Sequence, residues 1–181
     1  MRRGMLPTSR AGTVLAIVLL SKTVAYPLEA VTPPAPPVSH VPPSMTADEI
    51  RSFLAQPLIA RLATVRRNCT PQIVPMWFLY ADGVLYMSTR TQAAKLKHLR
   101  AHPQVAVVVD VMQAPLKNKS VTLQGRAEVL TTGVKEMTTR IYEKYMGKDA
   151  AASAAAQHNI NEPRVILKIT PKTITSIDTT R

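Results

Sequence analysis

The sequence predicts a mainly β fold, an antiparallel barrel with a few peripheral helices. Six or seven apolar runs of strand length follow one another between Leu58 and Asp178. Most are joined by hairpin-length turns, and helical spacing of apolar residues is confined to a few stretches between them. Hydrophobic residues make up 46% of the 181, enough to build a core and to argue against a disordered chain.

The ordered unit is expected to open at Met45. Thr46-Ala47-Asp48-Glu49 has capping-box spacing, and Ile50, Phe53 and Leu54 give the helix an apolar face that Pro57 ends. Leu58 to Arg66 reads as a strand, Arg67-Asn68-Cys69-Thr70 as a turn, and Pro71 to Tyr80 as a second strand. Ala81-Asp82-Gly83 is a hairpin signal leading into a strand over Val84 to Thr89. Gln92 to Ala101 reads as a short basic helix ending before Pro103, and Gln104 to Val111 as a buried strand. Lys119 to Leu130 is a long strand in which Gly125 marks a bend or bulge. A further helix is expected over Gly133 to Met146, where Val134, Met137, Ile141, Tyr142 and Tyr145 recur at helical spacing and Gly147 closes it. The alanine-rich stretch 150–156 reads as helix or connector. Arg164 to Thr170 and Lys172 to Asp178 are the last strands, parted by Pro171.

The first 44 residues have another character. They hold eight of the fifteen prolines and a single acid, Glu29. The apolar run AGTVLAIVLL behind Arg2, Arg3 and Arg10 is about half the ~20 residues that a bilayer span needs. It fits the h-region of a signal peptide, with cleavage after Ala25 or Ala30, and faintly a twin-arginine export signal. The competing reading is a disordered tail or upstream sequence. Residues 1–44 are therefore expected to be a signal-like or disordered proline-rich extension, and residues 45–181 the folded domain. The protein is expected to be exported if that segment is a signal, and cytoplasmic if the chain effectively starts near Met45.

The chain carries a net charge of +12, of which +9 falls from Met45 onward. That balance attracts anions: nucleic acid, a membrane surface or a phosphorylated small molecule. No run of five basic residues and no nucleic-acid-binding motif is present, and aromatics amount to only 4%. One cysteine, Cys69, excludes an intramolecular disulfide framework, and four scattered histidines argue against a metal site. Dinucleotide-binding and phosphate-loop glycine patterns are absent.

The informative stretch is Tyr86 to Leu99, YMSTRTQAAKLKHL. A strand ends in hydroxyl and guanidinium groups and a helix begins a few residues later, which favours a phosphate. Lys95 would supply a point charge, and Ser88, Thr89 and Arg90 hydrogen-bond donors. The plain alternative is a solvated basic helix face, with Lys97, His98 and Arg100 turned to water.

Five motifs occur in order: Arg61-Leu62-Ala63-Thr64-Val65, Pro71 to Phe78, Ser88 to Leu99, Pro103-Gln104-Val105-Ala106 and Gln124-Gly125-Arg126-Ala127-Glu128. Together they resemble the pyridoxamine 5'-phosphate oxidase-like family, the FMN-binding split barrels, with the pattern nearest that of the probable coenzyme F-420-dependent reductases. The resemblance spans about Thr46 to Arg181. It implies a six-stranded antiparallel split β-barrel that dimerises, with a flavin or deazaflavin in a groove at the dimer interface. It further implies that Lys95 contacts the cofactor phosphate, with Ser88 and Thr89 beside it and Arg61 adding to the anion site. Val74, Pro75, Met76 and Trp77 would lie along the ring, mainly through backbone groups, and Ser120 stands where relatives often carry a cofactor-touching glutamine.

The sequence also departs from the family pattern. FMN-binding oxidases usually show Ser-Arg-Lys at the helix start, whereas this chain has Ala93-Ala94-Lys95 and so lacks two phosphate donors. Arg90 or Lys97 would have to compensate. A usual Asp-Gly turn is replaced by Asn68-Cys69. The resemblance implies an oxidoreductase that moves a hydride between coenzyme F-420 or FMN and a small conjugated substrate, with no dedicated catalytic side chain. The alternative on the same fold is a non-enzymatic binder or carrier of flavin, deazaflavin or a haem-like tetrapyrrole. Neither reading calls for a metal, a nucleic-acid partner or a stable membrane span.

Overall fold

A computed structural model describes residues 44–115 and 117–180. Thr46 caps α1 (Ala47–Ala55) as its spacing predicts: its hydroxyl accepts from the Glu49 N–H at 3.3 Å, and the Glu49 carboxylate accepts from the Thr46 N–H at 2.7 Å. Then follow β1 (Ala60–Val65), β2 (Pro71–Met76), β3 (Leu79–Ala81), β4 (Val84–Arg90), α2 (Lys95–Ala101), β5 (Gln104–Ala114) and β6 (Lys117–Leu130). Three helices, α3 (Val134–Met146), α4 (Lys148–Ala151) and α5 (Ala154–Asn161), precede the final strand β7 (Arg164–Asp178). Asp82 and Gly83 both have positive φ, 53° and 76°, which is the two-residue turn that the Asp-Gly pair predicts between β3 and β4.

The seven strands form one antiparallel sheet in the order β2-β1-β5-β6-β7-β4-β3. Its two edge strands, β2 and β3, are consecutive in the chain and joined only by Trp77 and Phe78. That link reaches at most about 11 Å, whereas seven flat strands would hold the edges about 29 Å apart. The sheet must therefore curl until its edges nearly meet, leaving a seam between β2 and β3. This is the split barrel.

Two details differ from expectation. The Pro71–Tyr80 run is interrupted at Trp77 and Phe78, so seven strands stand where the family resemblance implies six. Pro171, in contrast, does not break the last strand. It lies opposite Gly125 at a register shift between β6 and β7, where a missing N–H costs little. A Cβ on Gly125 would lie 2.2 Å from the Thr170 carbonyl oxygen, so the close approach admits glycine alone.

Inward-facing residues of five strands fill the barrel, among them Leu62, Leu85, Met87, Val107, Leu123 and Leu167. Phe53 and Leu54 from α1 and Leu96 and Leu99 from α2 join this core. A second buried layer lies outside it, where α3 packs on β4 and β7 with Thr138 and Ile141 buried, and α5 packs on α3 with Ile160 buried. The extension expected over residues 1–44 lies, apart from Ser44, outside the described residues. Among the described residues, no helix is long and apolar enough to cross a membrane.

Candidate functional site

The end of β4 divides the predicted phosphate donors. Residues alternate along a strand, so Thr89 turns inward with Leu85 and Met87, while Ser88 and Arg90 turn outward. Thr89 is buried, and its Oγ1 lies 3.1 Å from the Lys95 Nζ. Burial lowers the pKa of the Lys95 ammonium. No carboxylate pairs with it among the described residues.

Ser88 and Arg90 are committed to structure. The Ser88 hydroxyl meets Thr138 Oγ1 on α3 at 2.8 Å and accepts from Arg164 at 3.4 Å. Arg90 grips both carboxylate oxygens of Glu162, at 2.6 and 3.1 Å. Its hydrogen bond is the main reason Glu162 is held below the usual carboxylate range. Of the four donors expected around one phosphate, the structure brings Lys95 and Thr89 together and engages Ser88 and Arg90 with other side chains. The helix is also shorter than its composition suggests. It begins at Lys95 rather than Gln92, and Ala94 at its N-cap offers no side-chain bond. His98, expected to face solvent, is instead 9% exposed, with Nδ1 3.1 Å from Thr64 Oγ1 inside the barrel.

Trp77 is 36% exposed and stacks on Tyr145 of α3, with ring centroids 4.6 Å apart and planes 4° from parallel. Tyr142 meets it edge-on at 5.2 Å. The Tyr145 hydroxyl donates to the Leu58 carbonyl at 2.5 Å and accepts from the Phe78 N–H at 3.2 Å. Burial outweighs the Phe78 bond and pushes the phenol up to about 12. Immediately before Tyr145 on α3, Lys144 donates to the Leu54 carbonyl at 2.8 Å and sits 3.5 Å above the Phe78 ring. Burial brings its amine down to about 8. These contacts fix the two-residue link on which the seam depends.

Arg61 faces outward from β1 and is ion-paired with Asp110 of β5. Asp110 lies directly opposite Ser120 on β6, so Arg61 and Ser120 belong to one neighbourhood. Thr89 belongs to another. It pairs with Val165, beside Ile166, whose partner on β6 is Leu130, ten residues or about 33 Å of strand beyond Ser120. Val74, Pro75 and Met76 run along the edge strand β2, with Pro75 opposite Arg61. Among the described residues, no group of three or more His, Cys, Asp or Glu side chains is placed to hold a metal ion.

The model of the family described as pyridoxamine 5'-phosphate oxidase matches residues 46–178. This chain belongs to that family. Solved members of the fold agree. A conserved hypothetical protein from Mycobacterium tuberculosis is similar with a TM-score of 0.66 at 21% identity, over 75% of this chain and 86% of its own. A structure described as an F-420 reductase is similar at 27% identity and TM-score 0.55, over 68% and 94% of the two chains. A FAD-binding protein from Mesorhizobium loti is similar at 26% identity and TM-score 0.54, over 74% and 93%. No curated protein matches the sequence.

Within this oxidase-family domain, sequence reasoning overlooked Glu162, Arg164 and Thr138, which decide what Ser88 and Arg90 do. Glu162 and Arg164 flank Pro163, with Arg164 the first residue of β7, and Thr138 lies on α3. Their one visible signal was the charge pair Glu162-Pro163-Arg164 at the mouth of a strand. Nothing local linked it to β4, about seventy residues earlier.

Proposed function

We propose that this protein binds coenzyme F-420 or FMN and transfers a hydride between it and a small conjugated substrate. The observation that carries the reading is Lys95, a half-buried ammonium whose hydrogen-bond partner is the Thr89 hydroxyl and which no carboxylate neutralises among the described residues. An ammonium in that state gains most from an anionic partner, which restores the electrostatic solvation that burial removed. Lys95 and Thr89 fit a cofactor phosphate. Ser88 and Arg90, as placed, do not. When bound, the cofactor supplies the hydride chemistry at its ring. The chain's own residues anchor the phosphate, shelter the ring along Val74 to Trp77 and exclude water. The similarity to an F-420 reductase and to a FAD-binding protein, each above 25% identity, supports this class of cofactor.

The domain acts, in this proposal, as a homodimer. Arg61 and Ser120 lie a long stretch of β6 away from Thr89 and Lys95, so a second copy would bring one neighbourhood against the other. Ile73 and Met112, 66% and 74% exposed, would help to cover that contact. A stable dimer should bury well over ~1,000 Å². Sedimentation at micromolar concentration checks this, and a monomer would end the dimer reading. The cofactor is tested by the absorbance spectrum of the purified protein and by titration with FMN and with coenzyme F-420. Saturable binding of one of them, followed by turnover of the reduced form with a conjugated acceptor, is expected.

A second reading has its own observation. With Ser88 and Arg90 engaged elsewhere, and alanine at 93 and 94, the phosphate set is thin for a tightly held FMN. A carrier or storage role for flavin, deazaflavin or a haem-like tetrapyrrole follows if bound ligand is retained and no acceptor is reduced.

A further inference from the structure

A second basic feature is independent of the cofactor reading. The turn between β1 and β2 and the far side of α2 enclose an open concavity of about 860 Å³. Arg66, Arg67, Lys97 and Arg100 line it, together with two imidazoles, and no acidic residue does. None of these four cations has a carboxylate partner among the described residues. This contrasts with Arg51, Arg61, Arg90 and Arg164, each of which has one. Like charges gathered around one hollow repel, so the arrangement is costly until an anion enters.

The walls are fixed before any ligand arrives. Within the turn, the Arg66 N–H donates to the Thr70 carbonyl at 2.9 Å, and the Cys69 N–H to the Arg66 carbonyl at 2.8 Å. The Thr70 N–H donates to the Asn68 side chain at 3.2 Å. On the other wall, buried His98 ties α2 to Thr64. The lining also contains an orphan: His102 Nε2 is buried and lacks a hydrogen-bond partner among the described residues. Helical geometry separates the hollow from the cofactor lysine. Lys97 and Arg100 share a face of α2, while Lys95 is rotated about 200° from Lys97.

We propose that this concavity is a second anion site, which takes a compact chain of two or three linked phosphates. Four cations around one small hollow call for several negative charges close together. A linked phosphate chain concentrates them, whereas peptide carboxylates are spaced by ~3.3 Å or more of backbone per residue. No Phe, Tyr or Trp side chain lines the hollow, and His98 is turned into the barrel against Thr64, so no broad platform for a nucleobase is offered.

Calorimetric titration of the full chain with inorganic triphosphate tests the proposal. Saturable binding at one site per chain is expected, roughly tenfold or more tighter than orthophosphate and weaker as salt rises. The double substitution Arg67→Gln with Lys97→Gln alters exposed side chains, so its melting temperature should match the wild type. Its triphosphate affinity should fall about tenfold or more. The charge reversal Arg100→Glu, tested separately, should lower it similarly. Lys95→Ala should leave triphosphate binding unchanged, so failure of the cofactor reading and failure of this one are distinguishable. The proposal is overturned by an absence of saturable binding, by equal affinity in the double variant, or by loss of binding in Lys95→Ala. Competition by FMN, or tighter binding of an RNA oligonucleotide or a glutamate-rich peptide than of triphosphate, would overturn it too.

Discussion

Lys95 and Lys144 are alike in setting and, under the proposed function, opposite in use. Both ammonium groups are half-buried, both have their pKa lowered by desolvation, and neither has a carboxylate partner among the described residues. Lys144 is nonetheless well served inside the fold, by the Leu54 carbonyl at 2.8 Å and the face of Phe78. It ties the end of α1 and the β2–β3 link to α3. Lys95 has one hydroxyl, Thr89 Oγ1, at 3.1 Å. The difference teaches how to separate a structural cation from a binding one: burial is common to both, and the quality of the internal acceptors tells them apart.

The comparison predicts crossed effects. Lys95→Ala should weaken binding of the cofactor, whichever of the two it is, by about ten- to a hundredfold, because a charged hydrogen bond is worth about 1.5–3 kcal/mol. Its melting temperature should barely change. Lys144→Ala should do the reverse, lowering stability by about 1 kcal/mol, or a few degrees in Tm, with affinity within about twofold of wild type. Titration and thermal melts on both variants check this pair. If both variants lost affinity equally, the distinction would fail.

A smaller effect follows from pH. The folded-state pKa of Lys144, about 8, lies below its ordinary value of 10.5, so the unfolded chain holds the proton more tightly. The stability tied to this amine is therefore present above pH 10.5 and is lost as pH falls through 8. Tyr145 acts in the opposite sense: its pKa of about 12 against an ordinary 10 gives stability that is present below pH 10 and is lost above it. Unfolding midpoints in urea should thus rise from pH 8 to about 10 and then decline. Lys144→Gln should flatten the rise and leave the decline.

The smallest expected effect sharpens the contrast from the other side. Glu162→Gln would free Arg90, which now spends its guanidinium on that carboxylate. If Arg90 then reaches the phosphate beside Lys95, cofactor affinity should rise a fewfold. The Glu162 pair contributes stability above the ordinary carboxylate pKa and loses it as pH falls through the depressed one. Wild type and Glu162→Gln should therefore converge in stability at acid pH, as melting curves would register. An unchanged affinity at neutral pH would show that Arg90 is placed out of reach even when released.

Much of the barrel was legible because its signals are local. The capping box at Thr46, the Asp82-Gly83 turn and the bulge at Gly125 each announce themselves within a few residues. The site was harder to read because its geometry depends on distant partners. That Ser88 and Thr89 face opposite sides follows from strand alternation, but which side carries the ligand depends on α3 and on the start of β7. His98 looked solvated between Lys97 and Arg100, yet Thr64, 34 residues earlier, gives its ring a buried partner. Pro171 read as a break because the sequence around it does not reveal that Gly125 stands opposite.

The seam has a consequence for how copies of this chain can meet. An open strand edge invites another chain to add to the sheet through its bare N–H and C=O groups. Here β3 offers only three residues, and β2 carries Pro71 and Pro75, which have no N–H to give. The same short link that closes the barrel holds these two poor edges close to each other. Fibre-like growth through edge pairing is thereby discouraged, and association between copies is left to the broad faces of the sheet.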